Sequence, residues 1–238
     1  RIELLTDRDL KLLKFMSGFS FMTAEQCGRF LGVSLLIVRR RLRALVDLEL
    51  VETENVLGSR RLYYRVSRAG LDFLGVSAEG SEPKGVRIGQ LEHDKVVADL
   101  AVDFAVKHPD FEVIGEAQIR RLDSVLLEAG EEPEFALKRV SGGRVVNVFP
   151  DVVAVSPAGH RFFLEFEHTV KDKRRLKSLM RGYIANERVS AVKYFGVPAV
   201  MPRLQAAVNE LSGEMPLFGG KPKIQVEEVQ VKNEGLLS

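Results

Sequence analysis

Apolar positions in the first 75 residues recur at helical spacing in three successive segments, each opened by a residue able to cap a helix. Thr6-Asp7-Arg8-Asp9 sets a hydroxyl before an acidic third residue, ahead of Leu10, Leu13 and Phe15, and predicts a helix over about 7–17. Thr23-Ala24-Glu25-Gln26 repeats the arrangement, and Gly32 is suited to closing the short helix it opens. Ser34 then caps a third helix over about 35–48, in which Leu35, Val38, Leu42 and Leu45 form a stripe meant for burial. At 100° per residue the opposite face carries Arg40, with Leu36, Ile37 and Ala44 nearby, while Arg39, Arg41 and Arg43 flank it. Residues 50–56 and 60–66 read as a hairpin around Leu57-Gly58-Ser59, with a basic return strand, and Ser67-Arg68-Ala69-Gly70 leads into one more helical turn.

Three helices followed by a hairpin, with a short second helix a few residues before a basic third one, form a helix-turn-helix with a wing. The order and spacing resemble the winged-helix DNA-binding family. That resemblance implies that the third helix lies in the major groove, with Arg39, Arg40, Arg41 and Arg43 facing phosphates or guanine edges and Arg60 and Arg61 on the wing. A charged face serving protein contacts is the competing reading.

Periodicity lapses over Gly- and Ser-rich residues 76–89, which read as a linker between a domain at 1–75 and another at 90–238. From Gln90 a helical pattern carries Leu91, Val96, Val97, Leu100, Ala101, Phe104 and Ala105, ending before His108-Pro109. Residues 111–114 are strand-like, and the polar stretch 116–143 has no clear period. Residues 145–155 and 160–167 read as two β segments joined by Ser156-Pro157-Ala158-Gly159. A basic helix over 171–186, a strand at 191–197, a helix near 203–211 and a last strand near 223–231 complete an α/β sandwich. The expected class is therefore α+β, a winged helix followed by a sandwich with a mixed sheet.

Composition narrows the chemistry. The chain has 238 residues, 45% apolar and 29% charged, which excludes a disordered or fibrous protein. No window supplies the roughly 20 apolar residues of a membrane span, and no secretory layout opens the sequence, so a cytoplasmic protein without membrane contact is expected. The net charge of +2 is uneven: residues 1–75 hold 13 Lys and Arg against 9 Asp and Glu, and the remainder 22 against 24. Cys27 is the single cysteine and sits in an apolar helical pattern, which predicts a buried filler. His93, His108, His160 and His168 lack the spacing of a zinc site, although His93 is placed to line a pocket beside Glu92. P-loop, GxGxxG and GxSxG patterns are absent, which removes support for nucleotide hydrolysis and serine chemistry.

Pro150-Asp151, then Glu165-Phe166-Glu167 on the next strand, with Glu92 on the preceding helix, resembles the PD-(D/E)xK nuclease-like core. The resemblance implies Asp151 and Glu165 as ligands of Mg²⁺ or Mn²⁺, Glu92 as an accessory carboxylate, and catalysis by Glu92, Asp151, Glu165 and Glu167 if the site is active. The motif's lysine is replaced by Glu167, so the positive charge at that position is missing; Lys171 or Lys173 would have to reach in from the following helix. Lys171, Lys173 and Arg174 are also basic enough to hold a second DNA segment.

The combination of winged helix, linker, Leu91-Glu92-His93-Asp94, Phe149-Pro150-Asp151, Phe163-Leu164-Glu165-Phe166-Glu167, a Lys/Arg-rich helix and Tyr183 resembles the replication-relaxation family of plasmids, conjugative elements and phages. The resemblance implies double-stranded DNA binding in replication, mobilisation or transcriptional control, with an inactive nuclease-like domain and no cofactor needed for binding. Replication or mobilisation proteins and a second copy of the chain are the further partners expected. A Mg²⁺-dependent endonuclease and a protein-recruiting adaptor are the alternatives.

Overall fold

The computed structural model describes residues 5–56, 61–76, 88–141, 143–170 and 172–230, which form a mixed α+β structure. Helix α1 (Asp7–Met16) opens on a closed capping box: Asp9 N donates to Thr6 Oγ1, and Asp9 Oδ2 accepts from Thr6 N at 2.8 Å. Its buried side is rotated from the expected one, since Leu10 is 40% exposed while Leu12, Leu13 and Phe15 turn inward. Strand β1 (Met22–Thr23) runs into α2 (Ala24–Leu31), where Thr23 and Gln26 close a second box and Gly32, at φ 65°, ends the helix. In α3 (Leu35–Asp47) Ser34 occupies the cap position but its side chain makes no capping bond, contrary to expectation. β2 (Val51–Asn55) and β3 (Leu62–Val66) pair antiparallel, β1 adds to the far side of β3, and α4 (Arg68–Phe73) follows.

Beyond a 3₁₀ turn at Ile88–Gln90, α5 (Leu91–Lys107) leads to β4 (Glu112–Gly115). The stretch without a clear period is helix α6 (Glu116–Glu128) and strand β5 (Leu137–Ser141). β5 pairs with β6 (Arg144–Val148) as a separate ribbon, so the single β segment expected over 145–155 is two strands in different sheets, broken at Phe149-Pro150-Asp151. Proline has no amide donor to continue a ladder, which accounts for the break. β7 (Val152–Val155), β8 (Arg161–Glu167), α7 (Lys173–Ala185), β9 (Ala191–Gly196), α8 (Met201–Glu210), the short pair β10 (Leu217–Phe218) and β11 (Lys221–Pro222), and β12 (Ile224–Glu228) complete the order.

The main sheet has the order β12-β9-β8-β7-β4, with β4, β7 and β8 antiparallel and β8, β9 and β12 parallel. Strand alternation decides what each face packs against. Val152, Leu164 and Phe166 join Val97, Ala98 and Ala101 of α5, whereas Val153, Phe163 and Val192 join Met180 and Tyr183 of α7 and Leu204 of α8. Lys223, almost fully buried, donates to the carbonyls of Ile184 and Asn186 and so satisfies the end of α7; burial lowers its proton affinity.

The amino-terminal helices and the sheet domain touch directly. One apolar core runs from Leu12, Leu42 and Leu45 through Val97 and Ala101 to Leu164. Gln26 Nε2 donates to Lys95 O at 2.9 Å, Arg29 pairs with Asp99 and Asp103, and Arg121 donates to Ser17 O. Gly18 and Gly115 meet backbone to backbone: a Cβ on Gly115 would lie 2.2 Å from Gly18 O.

Candidate nucleic-acid interface and carboxylate cluster

Helix α3 is held from three sides. Val38, Leu42 and Leu45 are fully buried beneath it. On one flank Arg41 Nε donates to Asp9 Oδ1 at 2.9 Å and Nη2 bonds Oδ2. Asp9 is 1% exposed; burial works to raise its proton affinity, but the bond from Arg41 and those from Thr6 outweigh it and hold the carboxyl below its ordinary range. On the other flank Arg39 Nη2 stands 3.8 Å from Glu25 of α2. The 100° step then turns Leu36, Arg40, Arg43 and Asp47 outward together, all exposed, Leu36 by 82%. No ion pair engages Arg40 or Arg43 among the described residues.

Of the four arginines expected on this side, Arg39, Arg40 and Arg43 are exposed and Arg41 is half-buried. Arg41 lies at the side, bound to a buried acid that the spacing of the third helix does not reveal. The same arithmetic places Arg40 and Arg43 at the apex with Leu36. The return strand of the hairpin lies alongside: burial raises the proton affinity of Tyr64, and Arg39 and Arg43 are close enough to oppose it. Arg61 is half-buried, Arg65 pairs across the strands with Glu52, and Arg60 lies outside the described residues.

On α7 the expected second DNA-holding set divides. Lys173 and Lys177 both pair with Glu210 of α8, and Arg181 pairs with Glu214, so one stripe of the basic helix is matched by acids from a neighbouring element. Lys173, one of the two lysines that would have had to reach the carboxylates, is thus engaged by Glu210. Arg174 is exposed, and Lys171 lies outside the described residues.

The motif carboxylates sit at the β7–β8 edge. Asp151 immediately precedes β7, and its Oδ2 accepts from Phe166 N at 2.7 Å, standing in for a strand partner. Glu165 accepts a hydrogen bond from the Tyr183 hydroxyl, tying β8 to α7, and Glu167 is buried with Oε1 3.3 Å from Thr169 Oγ1. Burial raises the Tyr194 phenol well above its ordinary proton affinity, and Glu165, Glu167 and Asp151 all add to it. Tyr183 is raised in the same way, by burial first and then by Glu165.

Glu92 springs from α5 on the opposite face of the sheet, and its Oε2 is buried with no hydrogen-bond partner among the described residues. The next residue, His93, places Nε2 3.7 Å from Asp151 Oδ2 and its ring 5.4 Å from that of His168, which stacks on Phe166. Burial pulls the His93 imidazolium down, but Asp94, Asp151 and Glu116 outweigh it and raise its proton affinity. Tyr183 and Tyr194 are the groups that residue type alone did not single out as lining this site. Tyr194 lies on β9 as the direct register partner of Glu165 on β8.

Asp151 is engaged by a backbone amide, Glu165 by a phenol, the lysine position carries Glu167, and no three His, Cys, Asp or Glu side chains are grouped to hold a metal among the described residues. Among those residues no helix is long and apolar enough to cross a membrane. No family model, curated protein or solved structure matches the chain.

Proposed function

We propose that this chain binds double-stranded DNA with a winged-helix domain whose third helix enters the major groove. The observation that carries the reading is the outward face of α3, where Arg40 and Arg43 stand exposed and without an ion pair among the described residues, beside exposed Leu36 and Ile37. Arginine supplies a planar fork for guanine O6 and N7 or for phosphate, and an exposed aliphatic residue at the helix start suits a thymine methyl. A face kept only for solubility gains nothing from exposing Leu36.

The sheet domain is read as nuclease-like in shape and inactive in hydrolysis, because Asp151 and Glu165 have structural tasks in its edge and its helix packing. A role in replication, mobilisation or transcriptional control of a mobile element, as in the replication-relaxation proteins, is the biological setting this reading favours. Titrating a duplex with the chain at rising salt tests the binding claim. Each phosphate neutralised releases counterions, so log affinity should fall linearly with log salt. An affinity that does not respond to salt would contradict groove binding and favour a protein-recruiting adaptor.

A further inference from the structure

We infer that Asp9 and Arg41 are positioning residues for the reading helix: buried Asp9 and half-buried Arg41 together form a strut that sets the rotation of α3 and so aims Arg40 and Arg43. This rests on the duplex-binding reading above and removes Arg41 from the set of direct DNA contacts.

The strut links two elements distant in sequence. Asp9 sits in the first turn of α1, where its carboxylate already accepts from Thr6 N at 2.8 Å and Thr6 Oγ1 at 2.7 Å. Both of those bonds end on Oδ2; the Arg41 fork spans the carboxylate, Nε donating to Oδ1 and Nη2 to Oδ2. A two-pronged guanidinium–carboxylate contact fixes direction as well as distance, which a lysine point charge does not. Val38, Leu42 and Leu45 are fully buried and exclude a large roll of α3, so what is left to set is its fine rotation. A roll of even a fraction of one residue's step, which is about 100°, would swing Arg40 off the apex. Arg41 held against α1 opposes that roll. On the other side, Arg39 is only 3.8 Å from exposed Glu25, a contact too loose and too wet to set an angle.

The rival account, in which Arg41 is itself a phosphate contact, makes the opposite prediction. Under that account Asp9 competes with DNA for Arg41, and Asp9→Asn releases a cation and tightens binding. Under the strut account Asp9→Asn lets α3 roll and weakens binding by about tenfold, the worth of one well-aimed base-edge contact.

The experiment uses the full chain and a short duplex selected by the wild type from a random-sequence pool, with helix content followed by circular dichroism. Weakened binding by folded Asp9→Asn, together with reduced preference for the selected duplex over a scrambled one, supports the strut. Unchanged or tighter binding overturns it while leaving duplex binding standing; failure of the wild type to bind any duplex overturns both. Should Asp9→Asn not fold, Arg41→Gln decides. A relaxed sequence preference supports the strut, whereas uniform weakening across sequences with the salt slope reduced by about one identifies a phosphate contact and overturns it.

Discussion

Asp123 is fully buried in α6, and its carboxylate accepts from the backbone amides of Glu134, Phe135 and Ala136 in the loop leading to β5. Truncating it strands the buried donors of Phe135 and Ala136, each costing about 1–3 kcal/mol, so Asp123→Ala should lower the unfolding free energy by at least about 2 kcal/mol. Urea denaturation measures this, and a loss under about 1 kcal/mol would show that the loop finds other partners. Asp9 yields a pH signature. Its folded proton affinity is lower than its unfolded one, so the stability it contributes is present above the ordinary carboxylate range and lost as pH falls through the folded value. Wild type and Asp9→Asn should therefore differ in stability at neutral pH and converge in acid. A difference that stays constant on acidification would contradict the Asp9–Arg41 pairing.

Among the elements, one tight constraint is the crossing of Gly18 and Gly115, where the chain before β1 meets the turn from β4 into α6. Gly115→Ala would drive a methyl into Gly18 O, forcing the backbones apart at a cost of about 1–3 kcal/mol, readable as a lowered melting temperature. An unchanged melting temperature would mean that the two segments separate freely. Sequence pattern located α1, α2, α3, α5, β9 and the β2–β3 strands from their apolar spacing, and at α1 and α2 the capping boxes it named are closed. Helix α6 escaped it for a physical reason: buried Arg121 and Asp123 occupy positions where the pattern looks for apolar residues, and Leu122 and Val125 face outward. The break at Pro150 was hidden because Val145–Val148 and Val152–Val155 are equally β-like. Proximity of Asp151, Glu165 and Glu167 was legible from strand pairing. The partners that occupy them, Phe166 N and Tyr183, depend on tertiary packing.

At the scale of the molecule, a core shared between the amino-terminal helices and the sheet domain ties α3 to the same framework as the carboxylate cluster. With Asp151 and Glu165 engaged, incubation with supercoiled, linear or single-stranded DNA in Mg²⁺ or Mn²⁺ should leave the DNA intact. Cleavage abolished by Asp151→Ala would favour the endonuclease instead. The central claim, that the outer face of α3 meets duplex DNA, is tested most directly by comparing wild type with the Arg40→Ala/Arg43→Ala double variant across salt concentrations. Both side chains are exposed and unpaired among the described residues, so the variant should keep its fold and melting temperature. It should bind the duplex more weakly by about 1–3 kcal/mol for each arginine that reads a guanine edge, with a shallower salt slope if either neutralises a phosphate. Wild-type affinity and an unchanged slope in the folded double variant would contradict the account.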